Sequence, residues 1–285
     1  MVHPGDAVAM LAVARIAAEG IARPVLIGEA GVIARAAEAA GVDARAFEIV
    51  ASESTDPRAA AQRAVELARA GDVGALMKGS LHTDELMSAV IHKSHGLRAT
   101  TRISHAFVFD LPRYPKLLAL ADCVVNIAPH LPAKRDILTN AIALLRTLGV
   151  VRPKVGIVAA VETVNPAIQA TLDADSLVAL AQTGEWGDAI VEGPLGFDNA
   201  VSAEAARIKG MRSQVAGDAD LLLMPDLNAG NMLYKSFVYI GGGECAGLVL
   251  GARVPIVLPS RADSMTSRIA SVALAMIASA GQPAS

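Results

Sequence analysis

The chain has 285 residues, of which 53% are hydrophobic, 3% aromatic and 19% charged. That length and apolar content support one large α/β domain or two smaller ones, and they exclude a disordered chain. Twenty-five basic residues against 28 acidic ones give a net charge of −3, which excludes a broad basic footprint for nucleic acid, so any positive charge for an anionic ligand must be focused locally.

The mean hydropathy of +0.44 is high. Even so, the longest apolar runs, 155–161, 221–224 and 246–250, fall far short of the roughly 20 residues of a membrane-spanning helix. Asp6 comes early and no basic stretch precedes the first apolar residues, so no secretory leader is expected. Cys123 and Cys245 are far apart and sit in no metal-type spacing. A reduced, cytoplasmic protein without membrane or nucleic-acid partners is the simplest expectation.

In chain order, β-rich runs occur at 24–27, 47–50, 75–77, 106–109, 155–159, 189–191, 221–224, 247–250 and 255–258. Alanine-rich helical stretches separate them. Asp56-Pro57 is a cap followed by proline at the first helical position, and it predicts a helix over 58–70. Pro132 opens another helix that Gly149 closes. Strand–helix alternation of this kind implies a mostly parallel sheet covered on both faces. Nine strands without a low-complexity linker suggest two α/β lobes, 1–101 plus 252–285 and 102–251. The expected fold class is thus a two-lobed, three-layer α/β/α arrangement with mostly parallel sheets.

Ligands of parallel sheets sit beyond the carboxyl ends of strands, often at helix N-termini. Four segments in such positions stand out. Lys78-Gly79-Ser80-Leu81-His82-Thr83 combines a cation, a glycine and hydroxyls at a helix start, a set suited to an anion, although a turn with an N-cap has the same composition. The run from Glu192 to Ala200 bends at Gly193-Pro194 and carries Asp198 and Asn199; an ordinary Asx turn is the competing reading. In the run from Pro225 to Met232, Asp226 can cap a helix whose first turn holds Asn228, Gly230 and Asn231. A cap does not account for Gly230, which costs about 1 kcal/mol inside a helix. In Pro259-Ser260-Arg261-Ala262-Asp263-Ser264, arginine beside serine at a helix start makes a compact phosphate or carboxylate receptor. Asp263 or Ser264 can cap that helix.

Other features carry less. Gly241 to Ala246 fits G-x-G-x-x-A but precedes a strand, so the dinucleotide context fails. His105 reads as a proton donor or as a core histidine. Cys245 reads as a small buried residue, and Met211, Met224 and Met232 as core.

At the four segments the chain resembles the phosphate acetyl/butyryl transferase family, with the nearest likeness to phosphate butyryltransferases and to the transferase portion of hydratase fusions. The strings MKGSLHTDELM, ISHAFVFDLP, ADCVVNIAP, VAAVETVNP, EGPLGFDNAVS, VAGDADLLLMPDLNAGNMLYK and GARVPIVLPSRADS carry it. The resemblance implies a fold akin to isocitrate and isopropylmalate dehydrogenases, a homodimer, and a site in the cleft between lobes. It implies reversible conversion of acyl-CoA and inorganic phosphate into acyl phosphate and coenzyme A, with no further cofactor and no metal. Ser260-Arg261 matches the pair that binds the phosphoryl and thioester region in the acetyltransferase branch. That branch carries a candidate basic aspartate seven residues beyond the serine; here that residue is Ser267, and the nearest carboxylate is Asp263. Met87 stands where the branch has a helix arginine. These departures favour the butyryl-like branch and longer acyl chains.

A mechanism consistent with these residues has Arg261 and Ser260 holding phosphate while Ser80, His82 and Asn231 stabilise the tetrahedral oxyanion. Lys78, Gly79, Thr83, Asp198, Asn228, Gly230 and Ser264 complete the expected binding set, and Asp263 joins the catalytic one. Phosphate needs positioning more than deprotonation, so direct transfer in a ternary complex is expected. A nicotinamide-dependent β-decarboxylating dehydrogenase of related fold and a catalytically silent acyl-CoA-binding subunit are the alternatives.

Overall fold

A computed structural model describes residues 1–99 and 101–280. In chain order its elements are α1 (Ala7–Ala18), β1 (Val25–Gly28), α2 (Ala30–Ala40), a 3-10 turn (Ala44–Ala46), β2 (Glu48–Ala51), α3 (Pro57–Ala70), β3 (Leu76–Met77) and α4 (Thr83–Val90). Next come β4 (Ser104–Asp110), β5 (Leu118–Ala121), α5 (Leu131–Thr147), β6 (Lys154–Val158), α6 (Gln169–Gln182), β7 (Ile190–Leu195), α7 (Phe197–Val201), α8 (Ala203–Ile208), β8 (Leu221–Leu223) and α9 (Leu227–Tyr239). The chain closes with β9 (Glu244–Leu250), β10 (Ile256–Val257) and α10 (Met265–Ala280). It divides into two compact units, Met1–Ile103 with Ala246–Ser285, and Ser104–Cys245. The sequence reading had put the second crossing after residue 251. It falls instead after Cys245, inside β9, whose Val249 pairs with Ile256 of β10 in unit 1.

In unit 1, β1 pairs with β2 in parallel, β3 with β10 in parallel, and β10 with β9 antiparallel. Val2 bridges in parallel to both Ile27 and Lys78, so the opening segment ties β1 to β3. The helices begin on side-chain caps. Asp6 accepts from Ala9 N at 2.8 Å, and Asp56 accepts from Arg58 N at 2.9 Å ahead of Pro57. These oxygens satisfy N–H groups that have no intrahelical partner. The α1–α2 side buries Met10, Val13, Leu26, Ile33, Ala36 and Ala37.

In unit 2 the strand order is β4-β5-β8-β6-β7. The β4–β5 pair is antiparallel and the other three pairs are parallel. The core gathers Phe107, Phe109, Leu118, Leu120, Val158, Leu195, Leu222, Met224 and Tyr234. Phe107 and Tyr234 stack at 4.1 Å between ring centroids. Gly149, at φ +89°, follows the end of α5 as the sequence suggested.

Two expectations are corrected. Strand β5 has no counterpart in the sequence reading. Leucine and alanine favour helix, and only the partners β4 and β8 draw Leu118–Ala121 into the sheet. Met232 is 64% exposed and therefore not core, whereas Met224 is buried and Met211 packs partly against the core. Among the described residues, no helix is long and apolar enough to cross a membrane.

Candidate active site

Unit 1 brings two of the sequence segments together. β3 and β10 run parallel in the register Leu76↔Ile256 and Met77↔Val257. The loops after them therefore leave the same sheet edge side by side. Lys78 N donates to Val257 O at 2.9 Å, which fixes the start of the first loop against the end of the second strand.

The second loop is folded on itself. Asp263 N donates to Ser260 O at 3.2 Å. Ser260 N donates to Asp263 Oδ2 at 2.7 Å, and Ala262 N reaches Ser260 Oγ at 3.4 Å. Ser264 Oγ accepts from Ser267 N at 3.0 Å and so caps α10. Arg261 is exposed on this turn. Behind it lies Arg268 of α10, only 7% exposed, whose guanidinium donates to Ser260 O at 2.6 Å, Asp263 O at 3.4 Å and Arg261 O at 3.5 Å. The sequence reading missed Arg268. Its signal was a charged residue in a helix whose neighbours alternate small and apolar, a pattern that does not reveal which face is covered.

The charge balance of this corner is unusual. Lys78 is 8% exposed, and its ammonium donates only to the carbonyls of Leu81 at 3.2 Å and Gly79 at 3.5 Å. Lys78, Arg261 and Arg268 enter none of the ion pairs among the described residues. Burial, followed by the charges of Arg268 and Arg261, pulls the Lys78 pKa below its usual value, while Asp6 and Asp263 oppose this at longer range. Removing buried cations from water without carboxylate partners is costly. Lys78 and Arg268 are buried in this way and Arg261 is exposed on the turn, a set whose chemistry suits an anion.

Several expected ligand groups in unit 1 have other duties. The Ser80 hydroxyl donates to His3 O and accepts from Gly5 N, both at 2.9 Å, so it pins the opening segment. A Cβ on Gly79 would lie 2.5 Å from the carbonyl oxygens of Val2 and His3; the close approach that needs glycine is to the chain itself. The Asp263 carboxylate holds the turn through Ser260 N, which makes it a loop brace. His82 and Thr83 are exposed at the start of α4, where Glu85 accepts from His82 N at 2.7 Å.

Unit 2 places its two segments after neighbouring parallel strands, β7 and β8 lying on either side of β6. Asp226 caps α9, accepting from Ala229 N at 3.0 Å. Gly230 is buried, and a Cβ there would sit 2.5 Å from Asp122 O and 3.2 Å from Cys123 Sγ. Its bareness lets α9 pack on the segment after β5. Asn231 Nδ2 donates to Cys123 O at 3.1 Å, and Asn228 is exposed. Asp198 is paired with Lys209 at 2.9 Å, and Lys209 also pairs with Glu162, to which Asn199 donates at 2.6 Å. The Lys209 hydrogen bond holds the Asp198 carboxyl below its usual range.

Below this surface Asp122 is buried and accepts from Val124 N, Val125 N, His105 N and Asn126 Nδ2. His105 is 2% exposed, with Nδ1 unpartnered. Burial pulls its pKa to about 4 against the opposing charge of Asp122. It is therefore a neutral imidazole at pH 7 and not a satisfied core histidine. Burial, then Asp122, pushes the Cys123 thiol well above its usual value, which leaves it a poor nucleophile. Among the described residues no group of three or more His, Cys, Asp and Glu side chains is arranged to hold a metal ion.

The chain has a two-unit α/β fold with a cationic corner at the ends of β3 and β10, and its relatives place it among transferases. Overlay on known structures agrees: a branched-chain phosphotransacylase from Enterococcus faecalis superposes with a TM-score of 0.85 at 29% identity, covering 98% of this chain and 97% of the other. Residues 54–276 match the family described as phosphate acetyl/butaryl transferase. The phosphate acetyltransferase of Rickettsia felis is 48% identical over 96% of this chain and 78% of its own. The phosphate butyryltransferase of Clostridium acetobutylicum is 38% identical over 90% of this chain and 85% of its own. The chain belongs to the phosphate acetyl/butyryl transferase family and is a phosphate acyltransferase.

Proposed function

We propose that the protein interconverts acyl-CoA plus inorganic phosphate with acyl phosphate plus coenzyme A, and that the corner formed by Lys78, Ser260 and Arg261 holds the phosphate. The observation that carries this assignment is the burial of Lys78 near two guanidinia with no ion-paired carboxylate among the described residues. Such a corner is stabilised when an anion enters it.

A phosphate oxygen attacks the thioester carbonyl carbon, the C–S bond breaks, and the proton carried by hydrogen phosphate ends on the departing thiolate. Arg261 offers a two-pronged donor, and the Ser260 hydroxyl and the first amides of α10 add further donors. His82 and Thr83 at the start of α4 are assigned to the developing oxyanion. In unit 2, Asn228, Asp198 and the start of α9 are assigned to acyl-CoA binding. The raised Cys123 pKa speaks against a cysteinyl intermediate, so transfer is direct and positioning is its main catalytic contribution. No further cofactor enters this scheme.

Relatives carrying both the acetyl- and the butyryl- name match at similar coverage, and one structural neighbour is a branched-chain enzyme. The substrate range is therefore proposed to extend from acetyl to butyryl and branched short acyl groups. A homodimer and a cytoplasmic setting are proposed with this reading.

The test is thiol release from acetyl-, propionyl-, butyryl- and longer CoA esters with phosphate. Arg261→Ala should lower kcat/KM for phosphate at least about 10²-fold. Near-normal turnover in that variant would remove Arg261 from the site.

A further inference from the structure

We propose that Arg268 is a positioning residue for phosphate, acting through the carbonyls of the Ser260–Asp263 turn and through its own charge. The inference rests on the phosphate role given to that turn above. Arg268 touches three carbonyls of the turn, with Ser260 O as its short contact at 2.6 Å. Ser260 O also accepts from Asp263 N. With both of these bonds made, the Ser260 carbonyl is turned toward α10, and the turn is locked with the Arg261 side chain exposed.

A neutral amide could brace a turn at smaller desolvation cost than a buried guanidinium. Among the described residues no carboxylate is paired with this guanidinium, and that arrangement needs a further reason. The charge of Arg268 acts on Lys78, where it is the largest electrostatic influence. Arg268, Lys78 and Arg261 therefore form one electropositive set, of which Arg268 is the covered member. It faces the turn's backbone while Arg261 stays accessible. A cation in this neighbourhood raises affinity for a dianion, whereas a carboxylate would lower it.

The experiment uses the full chain with butyryl-CoA and inorganic phosphate, and compares Arg268→Lys, Arg268→Gln and Arg268→Ala with Arg261→Ala. Arg268→Gln should raise the KM for phosphate about tenfold or more while the KM for butyryl-CoA stays within about twofold. Arg268→Lys, which keeps the charge but loses the planar fork, should fall between it and the parent. Millimolar guanidinium should restore part of the Arg268→Ala activity, and equal sodium chloride should not. If both KM values and the Tm move together and guanidinium gives no rescue, Arg268 is only a structural brace and the proposal is overturned. An unchanged phosphate KM in Arg268→Gln beside an impaired Arg261→Ala overturns this proposal alone. Normal turnover in Arg261→Ala overturns the phosphate role of the turn itself. Arg268→Lys keeps the test decisive if the alanine variant fails to fold.

Discussion

Replacing Gly230 by alanine tests the packing of α9 and its role together. A Cβ at this position would sit 2.5 Å from Asp122 O and 3.1 Å from Cys123 Cα, whereas ordinary contact begins near 3.4 Å. Backbone oxygen cannot rotate aside as a side chain could, so the first turn of α9 must retreat by about 0.9 Å. Asn231 is the next residue, and its 3.1 Å bond to Cys123 O would stretch beyond hydrogen-bond range. Overpacking costs about 1–3 kcal/mol, and the lost bond adds about 1 kcal/mol. Alanine's better helix propensity returns about 1 kcal/mol. The net expectation is a loss of about 1–3 kcal/mol, read as a fall in Tm of several degrees. Because α9 begins the unit-2 substrate set, a shift of this size should also cost about 10²-fold in kcat/KM at 25 °C. Thermal unfolding and thiol release on the same preparation check both numbers. Parent-like Tm and turnover would refute the packing argument. A lowered Tm with parent-like turnover would remove the start of α9 from the substrate site.

Lys78→Met should lower kcat/KM at least about 10²-fold yet raise the Tm at neutral pH. The pKa of Lys78 is lowered in the fold, so the unfolded chain binds that proton more tightly. The charged lysine therefore weakens the fold below its folded pKa, and the deficit fades as pH rises toward the unfolded value; a Tm that falls in the variant would contradict this sign. His105 gives a pH test of the same sign at lower pH. Its pKa drops from 6.5 to about 4 in the fold, so stability should decline by up to about 3 kcal/mol as pH falls through that interval. His105→Phe should flatten this part of the stability–pH curve, and an unchanged acid slope would show that another group carries it.

Much of the architecture could be read locally. The Asp56-Pro57 start, the Asp226 and Ser264 caps and the Gly149 stop are formed by residues within one turn of each other, and the structure has them where the pattern put them. The family likeness was legible because its strings fall on the loops that follow strands. The hydrogen-bond partners of those loops were not legible. Leu118–Ala121 has a helical composition and becomes a strand only between β4 and β8. Ser80 and Gly79 look like anion ligands until the opening segment is seen to occupy them. Lys78 and Arg268 come within electrostatic reach of each other because β3 and β10 pair in register and α10 follows β10. Propensity and capping depend on neighbours along the chain, so the sequence alone determines them. Burial of charge, and hence the position of an anion site, depends on which distant strands pair, and that was decided only in the tertiary structure.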